Sequence, residues 1–458
     1  MKNRILLLMM ASGLIATAQL DKSSCPANLS IFAEFAKVKN YDSAYQPWLE
    51  VRNNCPELNV ATFKYGERIL NHKIKNATDD KAALQASLMS LYDDWLTYFP
   101  NTKRGASEVG KILSSKAQAM VDNKLGTKRE AYEIFDQAFT QDPNSFTSPK
   151  RLYTYFKTAY QLYKQGDKTA EVLFDKYEEV SEKFVLEQTN LAKKLDVILK
   201  KLETGEALTS REQRNKRVYE TNTFAFSTYA GNLDAMISKE SSCENLIPLY
   251  RKNFEANRSN SVWLNRAASR MDAKECADDP LFVELVEALH AINPSANSAY
   301  YLGILKDKAG ESKAALAYYE ESLTLEQDQY RKADILYKIA VKFKKRNLKS
   351  KSRSYARKAL KNRPSMGKAY MLIASLYAAS ANDCGNTQFE KRAVYWLAAK
   401  TARKAATVDS GIKKTALKLA ASYEGRAPSK TDIFTEGRAG ETISFSCWIN
   451  SSVTVPQL

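Results

Sequence analysis

The chain has 458 residues, 44% hydrophobic and 26% charged, with a formal net charge of +17 and only 16 glycines and 12 prolines. That length suits two or three domains or one extended repeat array. So few glycines argue against a doubly wound nucleotide-binding fold, whose phosphate loops depend on them, and the composition is that of a soluble, structured chain poor in helix breakers.

The first residues, MKNRILLLMMASGLIATAQ, have the form of an export signal. Lys2 and Arg4 supply the cationic start, Ile5 to Ala16 is an apolar run too short to span a bilayer, and Ala16-Thr17-Ala18 is a small-residue cleavage site. Residues 1–18 are therefore expected to be a signal peptide cleaved near Ala18/Gln19, leaving the mature chain periplasmic or secreted. Asp21 to Ser24, ahead of Cys25, lack the apolar and small pattern of a lipid-attachment site, and no later segment approaches membrane-spanning length.

All six cysteines lie beyond the signal, and an even number in an exported chain points to disulfides. The spacing favours neighbours: Cys25 with Cys55, Cys243 with Cys276, and Cys384 with Cys447. The first two pairs are each separated by about one helical-hairpin length, roughly 34 residues. There is no C-x-x-C, and His72 and His290 are too few for a Cys/His zinc cluster. No metal site and no cofactor are expected.

In LSIFAEFAKVKNYDSAYQPWLEVRNNCP, Phe35, Ala44, Trp48 and Pro56 recur at the spacing of two short helices and a turn. A hairpin carrying Tyr65-Gly66 and ending at Pro100 follows, then Gly126, Ala131, Phe135, Ala138 and Pro143 in matching order, and a further hairpin from Arg151 to about Phe184. Leu186 to Ser242 keeps helical periodicity without this spacing. It reads as two long helices broken at Thr204-Gly205, the second capped by Thr209/Ser210 with Glu212. Hairpins resume at Cys243. From Ala296, Leu302-Gly303, Gly310, Ala315, Tyr319 and Ser322 flank a turn at Ala309-Gly310. A second unit carries Leu336, Ile339-Ala340, Phe343, Ala356, Ala359 and Pro364. A third carries Tyr370, Ile373-Ala374 and Tyr377, then Ala398, Ala402 and Ala405 after the insertion ANDCGNTQF.

These residues closely resemble a tetratricopeptide repeat, with Lys306 in place of the usual first-helix Tyr. The resemblance is strong over Ala296 to Ala405 and loose over Ser30 to Phe184. It implies an all-α superhelix, an α-solenoid in which small residues let helices approach and aromatics fill the notches between hairpins. The expected organisation is a signal peptide at 1–18, degenerate hairpins at 19–184, a long-helix connector at 185–242, a repeat array at 243–423 and a capping tail at 424–458. In the tail, Ile443, Phe445, Cys447 and Ile449 alternate with polar residues and Trp448 as a half-buried strand does, and Gly437 to Gly440 suit a turn. Cys384 with Cys447 would staple this tail over the end of the array.

Enzymatic signals fail one by one. GASEVGKI, Gly105 to Ile112, fits a phosphate loop except that Ile112 stands where a Ser or Thr must reach magnesium. Cys447-Trp448 matches a cysteine-protease pair, yet no histidine follows it. No G-x-S-x-G occurs, and the many carboxylates read as solvated helix surface. The expectation is a non-enzymatic scaffold for a protein or peptide partner in the cell envelope, similar to uncharacterised exported repeat proteins found there.

Two surfaces are candidates. Carrying the family's groove positions over gives Tyr300, Tyr301 and Ile304, then Tyr337, Lys338, Val341 and Lys344, then Lys368, Met371 and Leu372. This lining suits a peptide with apolar and acidic residues. The Lys/Asn clamp that some co-chaperone members use for a terminal carboxylate is absent, since Tyr300, Ile304 and Leu372 stand at its positions. The other surface is a run of eleven cations without an acid: Lys342, Lys344, Lys345, Arg346, Lys349, Lys351, Arg353, Arg357, Lys358, Lys361 and Arg363. It reads as a basic repeat face, or as a dock for an anionic glycan, cell wall or lipid headgroup. Export makes nucleic acid an improbable partner.

Overall fold

The computed structural model describes residues 22–458, so the signal read in residues 1–18 lies outside the described residues. Two compact units meet within one helix, at Arg151/Leu152.

The first unit is built of helical hairpins. They are α1 (Cys25–Lys37) with α2 (Tyr41–Asn54), α3 (Ala61–Asn76) with α4 (Lys81–Tyr98), and α5 (Val109–Asn123) with α6 (Lys128–Gln141). The first residues of α7 (Pro149–Lys164) follow. The notch rule is visible between α2 and α3: Trp48 is fully buried and its indole nitrogen donates to the Thr62 carbonyl at 2.7 Å. It fits because position 66 is glycine; a Cβ there would lie 2.6 Å from the Trp48 nitrogen. A disulfide between Cys25 and Cys55 ties the start of α1 to the end of α2.

The second unit opens with two long helices after α7, namely α8 (Ala170–Glu203) and α9 (Ser210–Ile237). The turn between them contains Gly205, in the left-handed region at φ 80°. Thr209 and Glu212 form the reciprocal capping box that starts α9. The α8 helix runs through residue 184 without a break. The hairpin series continues with α10 (Cys243–Asn257), α11 (Ser261–Ala273) with α12 (Pro280–Ile292), α13 (Ala296–Lys308) with α14 (Ser312–Leu325), and α15 (Gln329–Lys345) with α16 (Lys349–Asn362). It ends with α17 (Gly367–Ala378), α18 (Gln388–Val408), α19 (Lys413–Glu424) and α20 (Lys430–Glu436). Small residues let each pair close. In α13, a Cβ on Gly303 would sit 2.5 Å from the buried Tyr319 ring of α14, and Ser322 Oγ donates to the Ala296 carbonyl at 2.6 Å.

Cys243–Cys276 and Cys384–Cys447 are both disulfide-bonded, so all three expected pairs are present. The insertion Ala381 to Phe389 is a short 3-10 turn, Ala381–Asp383, a Gly385 at φ 103°, and the start of α18. The tail carries one two-stranded antiparallel sheet, β1 (Thr442–Phe445) with β2 (Ser451–Thr454). The strand is shorter than the alternation through Ile449 suggests, because residues 446–449 form the turn that brings Cys447 to Cys384. Gly437, at φ 65°, ends α20 and does not turn the sheet.

The chain thus has the all-α fold of tetratricopeptide-like hairpins with a small β-containing tail. Among the described residues, no helix is long and apolar enough to cross a membrane.

Candidate functional site

The ten groove residues divide by burial. Tyr300, Tyr301, Ile304 and Leu372 lie in the interior. Tyr300 and Tyr301 pack against each other at 5.4 Å between ring centres, and Tyr300 also meets Tyr319 at 6.0 Å, so aromatic packing between helices takes up these side chains. The other six form a row on two neighbouring first helices. Tyr337, Lys338 and Val341 on α15 and Met371 on α17 are half-buried, while Lys344 and Lys368 are exposed.

Charges in this row are mostly matched. Lys368 Nζ lies 2.8 Å from Asp334 while sitting over the Tyr337 ring. Lys344 donates to Ser375 Oγ at 2.9 Å. Lys338 differs: its ammonium lies 5.3 Å from the Tyr300 ring centre and makes no hydrogen bond or ion pair with the described residues. Burial pushes its pKa down, against the attraction of Asp272 and Asp334.

Sequence reasoning missed the role of α8. At about 1.5 Å per residue this helix is roughly 50 Å long, and along it contacts reach α11, α15, the turn before α17 and the end of α18. Glu178 receives the Arg270 guanidinium of α11 at 2.9 Å, and Glu182 pairs with Arg266 at 2.8 Å. Further on, Asp196 accepts the Tyr330 hydroxyl of α15 at 2.8 Å and the Ser365 amide before α17 at 2.9 Å. Leu195 and Leu199 then pack with Val408 of α18. Burial raises the pKa of both Glu178 and Asp196. Between α8 and α11, α13 and α15 a cleft of about 650 Å³ remains, with Val185, Leu186, Asn190, Asn265 and Asn297 among its walls. No sequence signal singles it out: Val185 and Leu186 in its wall are exposed apolar residues, but so are Val172, Val197 and Leu202 elsewhere on α8.

The basic run is partly neutralised by structure. Lys342, Lys345, Arg346, Lys349 and Arg363 each pair with a carboxylate, those of Asp272, Glu275, Asp307, Asp383 and Asp334 respectively. Arg353 is spent on the tail. Its guanidinium donates to the carbonyls of Trp448 and Ile449. Arg357 donates to the Tyr377 hydroxyl at 3.3 Å, and Lys351 and Lys358 lie over Phe343 and Tyr355. On α16 a shallow depression of about 470 Å³ is lined by Ser350, Arg353, Ser354, Arg357, Lys358 and Lys361, without an acid.

The two enzyme-like motifs have structural explanations. In Gly105 to Ile112 the start of α5 already holds an anion, the Asp142 carboxylate, which accepts from Ser107 Oγ at 2.7 Å and the Gly110 amide at 3.2 Å. Burial opposes its ionisation, yet hydrogen bonds from Ser145, Ser107 and the Gly110 amide hold its pKa below the usual carboxylate value. Gly110 is there for close approach, since a Cβ would lie 2.0 Å from the Asp142 carbonyl oxygen. Cys447 is bonded to Cys384 and is no nucleophile.

No family model and no curated protein matches the chain. Among solved structures, it is similar to a tetratricopeptide repeat protein from Parabacteroides merdae, 12% identical over 68% of this chain and 97% of that one, with a TM-score of 0.24. A human IFIT1 dimer with m7Gppp-AAAA is 15% identical over 88% of this chain and 96% of that one, TM-score 0.27. Yeast Tom70 is 12% identical over 90% of this chain and 82% of that one, TM-score 0.25. Matches at this level carry no functional argument. The assignment to a tetratricopeptide-like architecture rests on the hairpins and their glycine notches.

Proposed function

We propose that the protein is an exported, non-enzymatic scaffold that holds a protein or peptide partner on the first-helix face of its second unit. One observation carries this reading: the contiguous row Tyr337, Lys338, Val341, Lys344, Lys368 and Met371, in which the Lys338 ammonium has no ionic partner. A half-buried cation beside aromatic and aliphatic side chains favours a segment carrying acidic and apolar residues. The signal-like N-terminus and three disulfides support a place in the periplasm or outside the cell. The test is a pull-down from envelope extract with wild-type protein beside Tyr337→Ala and Lys338→Glu. Loss of the same partner from both variants supports the reading, and an unchanged set of partners overturns it.

A second reading rests on the acid-free depression along α16. Its cations would dock an anionic envelope polymer, and exposed apolar side chains that would favour a bilayer are absent from this helix. Cosedimentation with purified cell wall across a salt series decides it, because binding through these charges must weaken as salt rises.

A further inference from the structure

We propose that the outward face of α9 is the contact between two copies of this chain, packed antiparallel about a two-fold axis at Thr228. The proposal does not depend on the partner-binding row, which lies on α15 and α17.

The face is defined by what α9 leaves outside. Of its 28 residues only Phe226, Leu233 and Ile237 are buried, all on one side of the helix. On the other side Thr221, Phe224, Thr228, Gly231 and Ala235 are all exposed, and they recur at alternating steps of three and four, the spacing of a helix–helix seam. Phe224 is 55% exposed, and Val218 beside the stripe is 49% exposed. From Val218 to Ala235 the charged residues are Glu220 and Asp234, and both are engaged, by Lys216 and by the Tyr177 hydroxyl. The hydroxyls of Thr221 and Thr228 donate within the helix, to the Arg217 carbonyl at 2.8 Å and the Phe224 carbonyl at 2.9 Å. The stripe therefore presents neither a charge nor an unmet hydrogen bond, although the chain is 26% charged.

Gly231 adds a separate argument. Gly66, Gly110 and Gly303 each stand where another part of the chain comes close, whereas a Cβ on Gly231 would meet nothing within 4 Å. A glycine inside a helix lowers helix stability relative to alanine. The close approach that would repay it here has to come from outside the chain.

Charge and shape both select a second copy. Each copy has a formal net charge of +17, so two copies repel unless they meet where neither brings a cation. Phe224 lies four residues before Thr228 and Gly231 three residues after it. Antiparallel pairing about Thr228 therefore seats each Phe224 ring at the other copy's Gly231 and sets Thr221 against Ala235. Bulky meets small on both sides of the axis, as an isologous contact requires. At about 1.5 Å per residue the stripe from Thr221 to Ala235 is roughly 21 Å long. That is short of a standard interface, so association belongs in the micromolar range.

The test is sedimentation equilibrium of the mature chain from about 1 µM to about 500 µM, where a monomer–dimer equilibrium is expected. Phe224→Asp should remain monomeric throughout, while Val38→Asp, the same change at a residue 74% exposed in the α1–α2 turn, should dimerise as the wild type does. Gly231→Gln, for which the single chain has room, should weaken dimerisation about tenfold or more with its dilute-solution melting temperature kept. Orientation is read separately. Because all six native cysteines are bonded, a short bismaleimide should join Thr221→Cys to Ala235→Cys in a mixture of the two variants. A wild type that stays monomeric overturns the proposal, even if some other protein binds the stripe. Dimers that survive Phe224→Asp, or Thr221→Cys joined only to itself, overturn it as well.

Discussion

Arg353 on α16 donates to the Trp448 carbonyl at 2.9 Å while its guanidinium lies 5.0 Å from the centre of the same residue's indole ring. One residue of the basic run therefore serves the tail. Trp448 in turn lies tilted against Tyr377, ring centres 6.1 Å apart, and donates from its indole to the fully buried Ser380 at 3.1 Å. Next to it, Cys447 is bonded to Cys384. The tail is fastened to the array by a covalent bond, a charged hydrogen bond and an aromatic contact within a few residues.

Removing the first of these fasteners has a defined consequence. Cys384→Ser with Cys447→Ser reopens a loop of 63 residues. By chain entropy that costs about 4 kcal/mol, with engineered and native cases spread over roughly 2–5. Limited proteolysis is expected to cut the variant first between residues 437 and 458, leaving the hairpins intact. Arg353→Ala should act in the same place and cost about 1.5–3 kcal/mol, the scale of a hydrogen bond to a charged group. Intact mass of the unreduced wild type should show no free thiol.

Glycine at the helix notches makes an independent test of the architecture. Gly303→Ala forces the Tyr319 ring to move and Gly66→Ala forces the Trp48 indole to move, since the new Cβ would lie within 2.5 and 2.6 Å of them. Overpacking of this kind costs about 1–3 kcal/mol, where an ordinary exposed helical glycine would gain stability from alanine. Gly231, with open space around it, is the control. Chemical denaturation of the three variants checks the order.

These notches were legible in the sequence because the repeat pattern is local: a glycine and its aromatic lie within one or two helices. The disulfides were legible for the same reason, since two of them join cysteines only 30 and 33 residues apart. The groove was legible only in part. Spacing places Tyr300 and Tyr301 on a first helix but does not say that both rings turn into the interior. The strap formed by α8 was not legible at all. Its contacts join residues far apart in sequence, 169 positions in the case of Asp196 and Ser365, and its own periodicity is that of any amphipathic helix. The strand in the tail was overextended because alternation continues through a turn whose geometry is set by Cys447.

The strap gives the third prediction. Glu178 and Arg270 are both largely buried, and Arg270 also lies 4.1 Å from the Tyr177 ring centre. Burial raises the Glu178 pKa, partly offset by Arg270. Arg270→Leu leaves that carboxylate without its partner and should cost about 3–5 kcal/mol, whereas Arg270→Leu with Glu178→Leu should recover most of the loss. A double-mutant cycle measures the coupling directly. Independent, additive effects would mean that α8 is not held to α11 through this pair.

Asp196 gives a pH dependence with a definite sign. Burial raises its folded pKa above the unfolded value, against the hydrogen bonds from Tyr330 and Ser365. The folded state therefore holds its proton at pH values where the unfolded chain has lost it. The stability contributed by this group is full below the unfolded pKa, near 3.8, and falls as pH rises through the folded value. Asp196→Asn removes the titration but can keep both contacts, its oxygen accepting from the Ser365 amide and its nitrogen donating to the Tyr330 hydroxyl. It should change stability by less than about 1 kcal/mol at pH 7, toward greater stability if anything, and flatten the loss between pH 4 and pH 7. Asp196→Ala should behave oppositely. It leaves a buried amide and a hydroxyl unpaired and should cost about 1–3 kcal/mol at every pH. Denaturation midpoints of the three proteins at pH 4.5 and 7 separate the two effects. A wild-type curve that steepens no more than that of Asp196→Asn would show that the strap carries no buried charge at this point.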